Sequence, residues 1–447
     1  MNQSIFKAYD VRGLYPQEFD EQAAYRIARA TAEFLGTKTM LVAMDERHSS
    51  VTIKEAVIAG LEDGGVAEII DIGAATTPMY YFAAYDAKVD GGIMVTASHN
   101  PPQYNGLKIV GKEAMPIGEE SGLPEIKEKV LASSDWEVRT ERMPSSFVVK
   151  QVDYLSRYAD FLAQNRQVPQ IKIVVDAACG VAGAVVSEVA QRMKDLSIVP
   201  LCFAPCKEVV HGANPFLDEN VVDLKEAIAR EKADLGVAFD GDGDRAFFFD
   251  REGKRVASHA LAALVAQHAL QKYPGSTVIA DVRMPKVFAE TVLAHGGKPR
   301  ESRVGHSFIK KIMRAENAAF GAEVSGHFYF KDFFGLDSGV FMMMEVCDIL
   351  ARTGKTIEEL TAPLCTRFQS GELNFTVADK AGAIKKIKET FFDTKQAELD
   401  GLTVVYPDWW CNVRPSNTEP YLRVNIEADT EKILADARKK IEELITA

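Results

Sequence analysis

The stretch LGVAFDGDGDRAFFF, residues 235–249, decides how the fold is read. Residues 235–239 and 246–249 are short apolar runs of strand length, and Asp240, Asp242 and Asp244 stand between them on alternate positions, spaced by glycines and followed by Arg245. Apolar runs of this length bounded by turn residues read as buried strands. Two other stretches share the layout, GGIMVTASHN from Gly91 and FGAEVSGHFYF from Phe320. Aligning Gly92, Gly236 and Gly321 places Ser98, Asp242 and His327 at one equivalent position. Earlier in each unit a strand ends in acid, at residues 41–45, 171–176 and 278–281. The recurrence predicts three related α/β units. Loops after strand ends collect ligands in parallel sheets, so each unit would present one chemically distinct loop.

Working outward, helix and strand signals alternate. Asp20 is suited to cap a helix with Ala24, Ile27, Ala28, Phe34 and Leu35 on its apolar face, ended by Gly36. Residues 40–44 then read as a strand, Ser49 or Ser50 opens a helix closed by Gly64, and residues 66–71 form another strand. Such alternation means helices packed on largely parallel sheets. The ending differs: strands at 373–377, 402–406, 410–413 and 421–426, a helix at 380–391, and a closing helix from Asp429 or Thr430. That pattern is a small α+β domain, with residues 367–372 as the joint before it. The expected division is 1–150, 151–252 and 253–368 for the three α/β domains and 369–447 for the α+β domain.

Length and composition agree. At 447 residues the chain exceeds one core. With 47% apolar and 26% charged residues it has an ordinary globular composition. A net charge of −12 argues against nucleic acid, which needs a concentrated basic surface. Residues 1–10 lack a basic start followed by an apolar run, so no secretory signal is expected, and residues 257–270 are too few to span a bilayer. The six cysteines, Cys179, Cys202, Cys206, Cys347, Cys365 and Cys411, are scattered and read as buried thiols of a reducing cytosol. Cys202 and Cys206 have no second ligand pair nearby and give no metal signal of their own. A cytoplasmic protein is expected, without nucleic acid or membrane partners.

Four motifs carry chemistry. The carboxylates of Asp240, Asp242 and Asp244 can converge on one hard cation, with glycines clearing the space between them. A calcium loop would need Gly at its sixth position and Glu at its twelfth, where Arg245 and Arg251 stand. Mg²⁺ suits such a site because it takes few carboxylates plus phosphate oxygen. Ser98, in Thr96-Ala-Ser-His-Asn-Pro-Pro102, ends a strand in a rigid turn, as a nucleophile with a fixed line of attack requires, although the same residues also make an ordinary turn. Lys108 lies on the next expected strand and would face that turn. Glu323, Ser325 and His327 combine carboxylate, hydroxyl and imidazole, which suits sugar hydroxyls or a satisfied polar turn. Arg414, Ser416, Asn417 and Thr418, with Arg423 beyond, have the donors of a phosphate cradle or of a polar hairpin. Tyr9 and Arg12 in Tyr9-Asp-Val-Arg-Gly13, Arg283 and Lys286, and the Arg303–Ser307 stretch are lesser candidates.

Taken in this order, the motifs resemble the α-D-phosphohexomutase superfamily, most closely its phosphomannomutase/phosphoglucomutase branch, over essentially the whole chain. The resemblance implies four domains around a central cleft. It implies a phosphoserine at Ser98 and Mg²⁺ held by Asp240, Asp242 and Asp244 together with the Ser98 phosphate. Arg12, Lys108 and Arg245 would contact the transferring phosphate or move protons, with His306 near the sugar. Tyr9 and Arg283 would contact substrate, Glu323 and Ser325 would read hydroxyls beside His327, and Arg414, Ser416, Asn417, Thr418 and Arg423 would hold the distal phosphate. Hexose 1-phosphate and 6-phosphate would be the substrates, hexose 1,6-bisphosphate the intermediate and activator, and the protein a monomer or weak dimer. Two positions depart from the pattern: Ala97 replaces a common Gly, and Arg283 a frequent Lys. A glucosamine-phosphate mutase fits less well, since that branch resembles Arg-Pro-Ser-Gly-Thr and Asp-Gly-Asp-Ala-Asp. Intact Ser98 and all three aspartates count against an inactive sugar-phosphate-binding protein.

Overall fold

The strand Gly91–Val95 pairs in parallel with Thr39–Met44, Leu235–Phe239 with Ile171–Asp176, and Phe320–Ala322 with Thr277–Asp281. The three stretches aligned from sequence are thus structurally equivalent strands. The computed structural model describes residues 2–133, 135–138, 147–204, 211–416 and 421–446, and these divide into two compact units.

One unit comprises residues 1–256 and 325–357. Its first sheet runs Val11–Leu14, Tyr104–Val110, Gly91–Val95, Thr39–Met44, Glu68–Ala74, Val148–Gln151. Tyr104–Val110 runs antiparallel to both its neighbours, and the remaining pairings are parallel. A second sheet runs Ala246–Phe249, Leu235–Phe239, Ile171–Asp176, Leu196–Leu201, with only the first pairing antiparallel. In both, the chain turns back immediately after the aligned strand, and that reversal builds the Ser98 and Asp240–Asp244 loops. The helix signals hold in detail: Asp20 accepts from Ala23 N–H at the start of Glu21–Leu35, and Gly36 closes it at φ 61°. Fully buried Ile27, Ile53, Val57 and Leu61 press the first two helices onto the sheet.

The other unit comprises residues 257–324 and 358–447. Thr277–Asp281 lies between parallel neighbours Lys298–Ser302 and Phe320–Ala322. The closing sheet is wholly antiparallel, in the order Phe368–Thr376, Tyr421–Ala428, Trp409–Pro415, Leu402–Val405, Lys395–Ala397. Residues 367–372, read as a joint, fall largely within Phe368–Thr376, where the ladder shifts register between Gln369 and Glu372. Thr430 Oγ1 accepts from Ile433 N–H and opens the final helix, Glu431–Thr446. Ile387 and Ile441 are fully buried against this sheet.

The thiol reading needs one correction. Cys179 is disulfide-bonded, while Cys202, Cys347, Cys365 and Cys411 are free. Scattered spacing carried no trace of that pairing, because the tertiary fold sets it. Among the described residues, no helix is long and apolar enough to cross a membrane.

Candidate active site

In the first unit the chain has to bring two loops from different sheets into contact, and glycine permits it. A Cβ on Gly241 would meet the Ser98 carbonyl oxygen at 2.7 Å, so only glycine allows this approach. Ser98 itself sits at φ 52°, a left-handed conformation costly for a non-glycine residue and held by its surroundings. Arg47 supplies much of that hold: its guanidinium donates to the carbonyls of Ser98, Asn100, Pro101 and Tyr104 at 2.7–3.0 Å. Asp45 in turn anchors Arg47 at 3.0 Å. Arg12, on the strand Val11–Leu14, is clamped by Asp10 at 2.6 Å and donates to Asn100 Oδ1 at 2.8 Å.

Ser98 Oγ donates to Asp240 Oδ2 at 3.0 Å. Asp240, Asp242 and Asp244 are 0–2% exposed, and one oxygen of each lies within 4.8 Å of the others. Lys108, expected to face the Ser98 turn, reaches the aspartates, with Nζ 2.6 Å from both Asp242 Oδ2 and Asp244 Oδ2. Thr77 Oγ1 also donates to Asp242 Oδ2. Arg245 Nε lies 3.3 Å from His327 Nε2 and 3.7 Å from Asp240 Oδ2, and His327 Nε2 lies 3.4 Å from Asp244 Oδ1. Ser325 Oγ stands 3.3 Å from His327 Nδ1.

The charges explain the titration. Burial, then the negative Asp244 and Asp242, raise Asp240 well above the usual carboxylate range. Asp244 is driven the other way: burial opposes ionisation, but Lys108, His327 and Arg245 outweigh it. Burial likewise opposes the Lys108 charge, and Asp242 and Asp244 overcome it, so its ammonium is held protonated. Asp242 Oδ1 is buried with no hydrogen-bond partner, and buried Asp244 Oδ1 has only the 3.4 Å approach of His327 Nε2. Uncommitted buried carboxylate oxygens on an all-oxygen donor set fit a hard divalent ion.

The second unit gathers cations around carboxylates. Asp281 clamps Arg283 by Nε at 2.9 Å and Nη2 at 2.8 Å, and accepts from Val324 N–H at 3.1 Å. Glu323, 2% exposed, accepts from Gly305 N–H at 2.9 Å and lies 4.0 Å from Arg283. His306 opens the helix His306–Ala315 directly after Gly305. Glu372 reaches Arg283, Arg414 and Arg423 together, at 3.6, 2.8 and 3.2 Å. Burial and the neighbouring Arg283 lower the Arg414 pKa. Ser416 N–H donates to the Tyr421 carbonyl at 2.8 Å. Asn417 and Thr418 lie outside the described residues.

Each unit therefore assembles its own expected set: Arg12, Ser98, Lys108, the three aspartates, Arg245, Ser325 and His327 in one, Arg283, Glu323, Arg414 and Arg423 in the other. Tyr9 precedes the Asp10–Arg12 clamp directly. Arg47, Thr77 and Glu372 escaped sequence reading. Asp45 two residues before Arg47 was the one local signal, since a strand-end acid with a nearby Arg invites a clamp.

A strained, buried serine against clustered carboxylates, with guanidiniums gathered elsewhere, is the equipment of a phosphoryl-transfer enzyme. Comparison with known proteins is specific. Phosphoglucomutase/phosphomannomutase family models match alpha/beta/alpha domain I at residues 3–135, domain II at 152–253, domain III at 257–368 and the C-terminal domain at 372–444. The chain is 37% identical to a phosphomannomutase of Salmonella montevideo over 452 residues, covering 98% of each chain. It is 37% identical to a phosphomannomutase of Escherichia coli (strain K12) over 448 residues, covering 98% of this chain and 97% of that one. A crystal structure of a phosphoglucomutase/phosphomannomutase family protein from Burkholderia thailandensis superposes with a TM-score of 0.90 at 30% identity, covering 99% of this chain and 97% of that one. The chain belongs to the phosphoglucomutase/phosphomannomutase family of the α-D-phosphohexomutase superfamily. It is accordingly an enzyme, a mutase of the isomerase class.

Proposed function

We propose that this enzyme interconverts hexose 6-phosphate and hexose 1-phosphate through phosphorylated Ser98, acting on mannose phosphates and on glucose phosphates as well. The observation that carries the reading is the 3.0 Å hydrogen bond from Ser98 Oγ to Asp240, one of three buried carboxylates. In the forward sense the P–O bond to Ser98 breaks as a sugar hydroxyl oxygen bonds to phosphorus, and the hydroxyl proton ends on the leaving Ser98 Oγ. The product is hexose 1,6-bisphosphate. After the sugar reverses, its other phosphate returns to Ser98.

The chain's residues divide this work. Asp240, Asp242 and Asp244 would hold Mg²⁺ with the serine phosphate; when bound, the ion offsets charge on the transferring group. Lys108, held protonated between Asp242 and Asp244, serves as a fixed cation against the transferring phosphate. Arg245 adds a second cation, and Arg12, anchored by Asp10, a third. His327 lies against Arg245 and Asp244 and fixes their orientation. Glu323 accepts from sugar hydroxyls, with Ser325 and His306 contributing. Tyr9 and Arg283 contact the substrate, and Arg414, Ser416, Asn417, Thr418 and Arg423 hold the phosphate that is not reacting. The domains at 1–150, 151–252, 253–368 and 369–447 would thus supply serine, metal, sugar and phosphate loops in turn. The reading carries with it a cytoplasmic enzyme working as a monomer or weak dimer, which light scattering would check.

Mass spectrometry of purified protein should find phosphate on Ser98 in part of the population. A coupled assay with mannose 1-phosphate and glucose 1-phosphate should show turnover of both, stimulated by hexose 1,6-bisphosphate. Turnover by protein that never carries phosphate on Ser98, even with bisphosphate added, would overturn the reading.

A further inference from the structure

A second set of donor atoms converges at the carboxyl ends of two adjacent parallel strands. Asp176 closes Ile171–Asp176, Cys202 follows Leu196–Leu201, and His211 comes from the connection beyond. His211 Nε2 lies 2.9 Å from Asp176 Oδ2 and 3.6 Å from Cys202 Sγ, and the three atoms fall within 4.8 Å of one another. His211 Nε2 faces Asp176 and Cys202 and Nδ1 stands 3.0 Å from the Gly212 carbonyl; these acceptors raise the imidazole pKa to about 11, so each nitrogen carries a proton until a metal displaces the one on Nε2. A backbone carbonyl holding the far nitrogen is the usual means of orienting a metal-binding imidazole.

Asp176 is equally committed. It is 2% exposed, and Oδ1 accepts from Ala178 N–H at 2.9 Å, while the buried Oδ2 makes no hydrogen bond of good geometry. One nitrogen, one oxygen and one sulfur face one point, and the Nε2 proton of His211 occupies the place that a metal ion would take. A thiolate in the set selects a borderline-soft ion over Mg²⁺. Tetrahedral Zn²⁺ with Zn–S of about 2.3 Å and Zn–N of about 2.0 Å places sulfur and nitrogen about 3.5 Å apart, close to the separation found here.

We propose that Asp176, Cys202 and His211 form a second metal site, of the Zn²⁺ type, separate from the three-aspartate loop and open at a fourth position. Binding releases the protons of the thiol and of any imidazolium. His211 is 12% exposed at its side chain, which leaves an entry path. The site stands behind the catalytic loop: a Cβ on Gly180 would meet the Gly241 carbonyl oxygen at 2.4 Å, and one on Gly241 would lie 3.4 Å from Ala213 Cβ. The bound ion therefore braces the wall on which Asp240–Asp244 rests.

The test uses full-length protein stripped of metal, with Co²⁺ as probe and Zn²⁺ as competitor. One equivalent of Co²⁺ should produce a thiolate-to-cobalt charge-transfer band that Zn²⁺ abolishes and excess Mg²⁺ does not, because the aspartate loop has no sulfur. Zn²⁺ should also raise the melting temperature. Cys202→Ser should lose the band, and His211→Gln, a partly exposed position, should weaken Co²⁺ affinity at least about a hundredfold. No band in the wild type, a band that survives Cys202→Ser, or unchanged affinity in His211→Gln each overturns the proposal. If Cys202→Ser fails to fold, His211→Gln decides alone.

Discussion

Glu372 Oε2 accepts a hydrogen bond from Arg414 Nη2 at 2.8 Å, and the same carboxylate stands within reach of two further guanidiniums, Arg283 and Arg423. One negative charge thus holds three positive ones together. Glu372→Gln removes that charge and leaves the guanidiniums to repel. The variant should lose about 1.5–3 kcal/mol of stability, the worth of a charged hydrogen bond. Saturating inorganic phosphate should restore more of it than it adds to the wild type. Urea denaturation with and without phosphate measures both; equal phosphate effects in the two proteins would remove Glu372 from this role.

Arg414→Ala tests the proposed hold on the non-reacting phosphate. Loss of one charge-assisted contact of about 1.5–3 kcal/mol should lower kcat/KM roughly 10- to 150-fold. Forward and reverse directions should suffer alike, and more free bisphosphate should escape. Progress curves from both substrates read this out. Unchanged rates in both would reduce the loop to a structural turn.

Ser98→Ala should lower activity by at least roughly a thousandfold, the scale of losing a covalent nucleophile. Alanine at φ 52° bears the same backbone strain as serine, so stability should shift by less than about 1 kcal/mol. A collapse in turnover without a change in melting temperature separates chemistry from folding. Near-normal turnover, with host enzyme excluded, refutes the nucleophile.

Chelation should abolish activity and added Mg²⁺ should restore it. Asp242→Asn should raise the Mg²⁺ concentration needed and lower the maximum rate together, because Asp242 joins the cluster to Lys108 and Thr77. Full turnover after exhaustive metal removal would exclude the metal step.

A pH effect on stability is expected from His259. Burial lowers its pKa from 6.5 to about 4, and Gln369 Nε2 lies 3.3 Å from its ring nitrogens, a donor that suits the neutral form. Because the folded state resists protonation, the contribution is full above about pH 6.5 and is lost as pH falls toward about 4. The loss is roughly 3 kcal/mol, at 1.36 kcal/mol per pH unit. His259→Gln should flatten the curve in that window. Denaturation midpoints across it decide the matter: parallel curves for both proteins would rule His259 out.

The sequence exposed what was local and periodic. The Asp240 loop was legible because its flanking apolar runs are the strands Leu235–Phe239 and Ala246–Phe249, and its three acids lie within five residues. The strand after the Ser98 turn carries Lys108 back toward that turn, but its partners Asp242 and Asp244 come from another sheet, which sequence spacing does not show. Glu372 was illegible for the opposite reason: its partners Arg283, Arg414 and Arg423 come from distant segments, and its own stretch resembles a linker. Arg47 holds the serine loop through carbonyl oxygens, which have no sequence signature. Cys202 was weighed against Cys206, its neighbour in sequence, whereas its spatial neighbours are Asp176 and His211. Local reading finds the loops and misses what holds them.

The equivalent strands Gly91–Val95, Leu235–Phe239 and Phe320–Ala322 each end where a different set of groups begins: the Ser98 hydroxyl, the carboxylate cluster, and the carboxylate, hydroxyl and imidazole of Glu323, Ser325 and His327. A duplicated mount has been fitted three ways. Descent from one ancestral unit would explain why the mounts still match while their contents do not. The anchoring strand lies in a buried ladder and resists change, whereas the turn beyond it can be rewritten residue by residue. For an engineer this marks the turns, and not the strands, as the interchangeable parts of the enzyme.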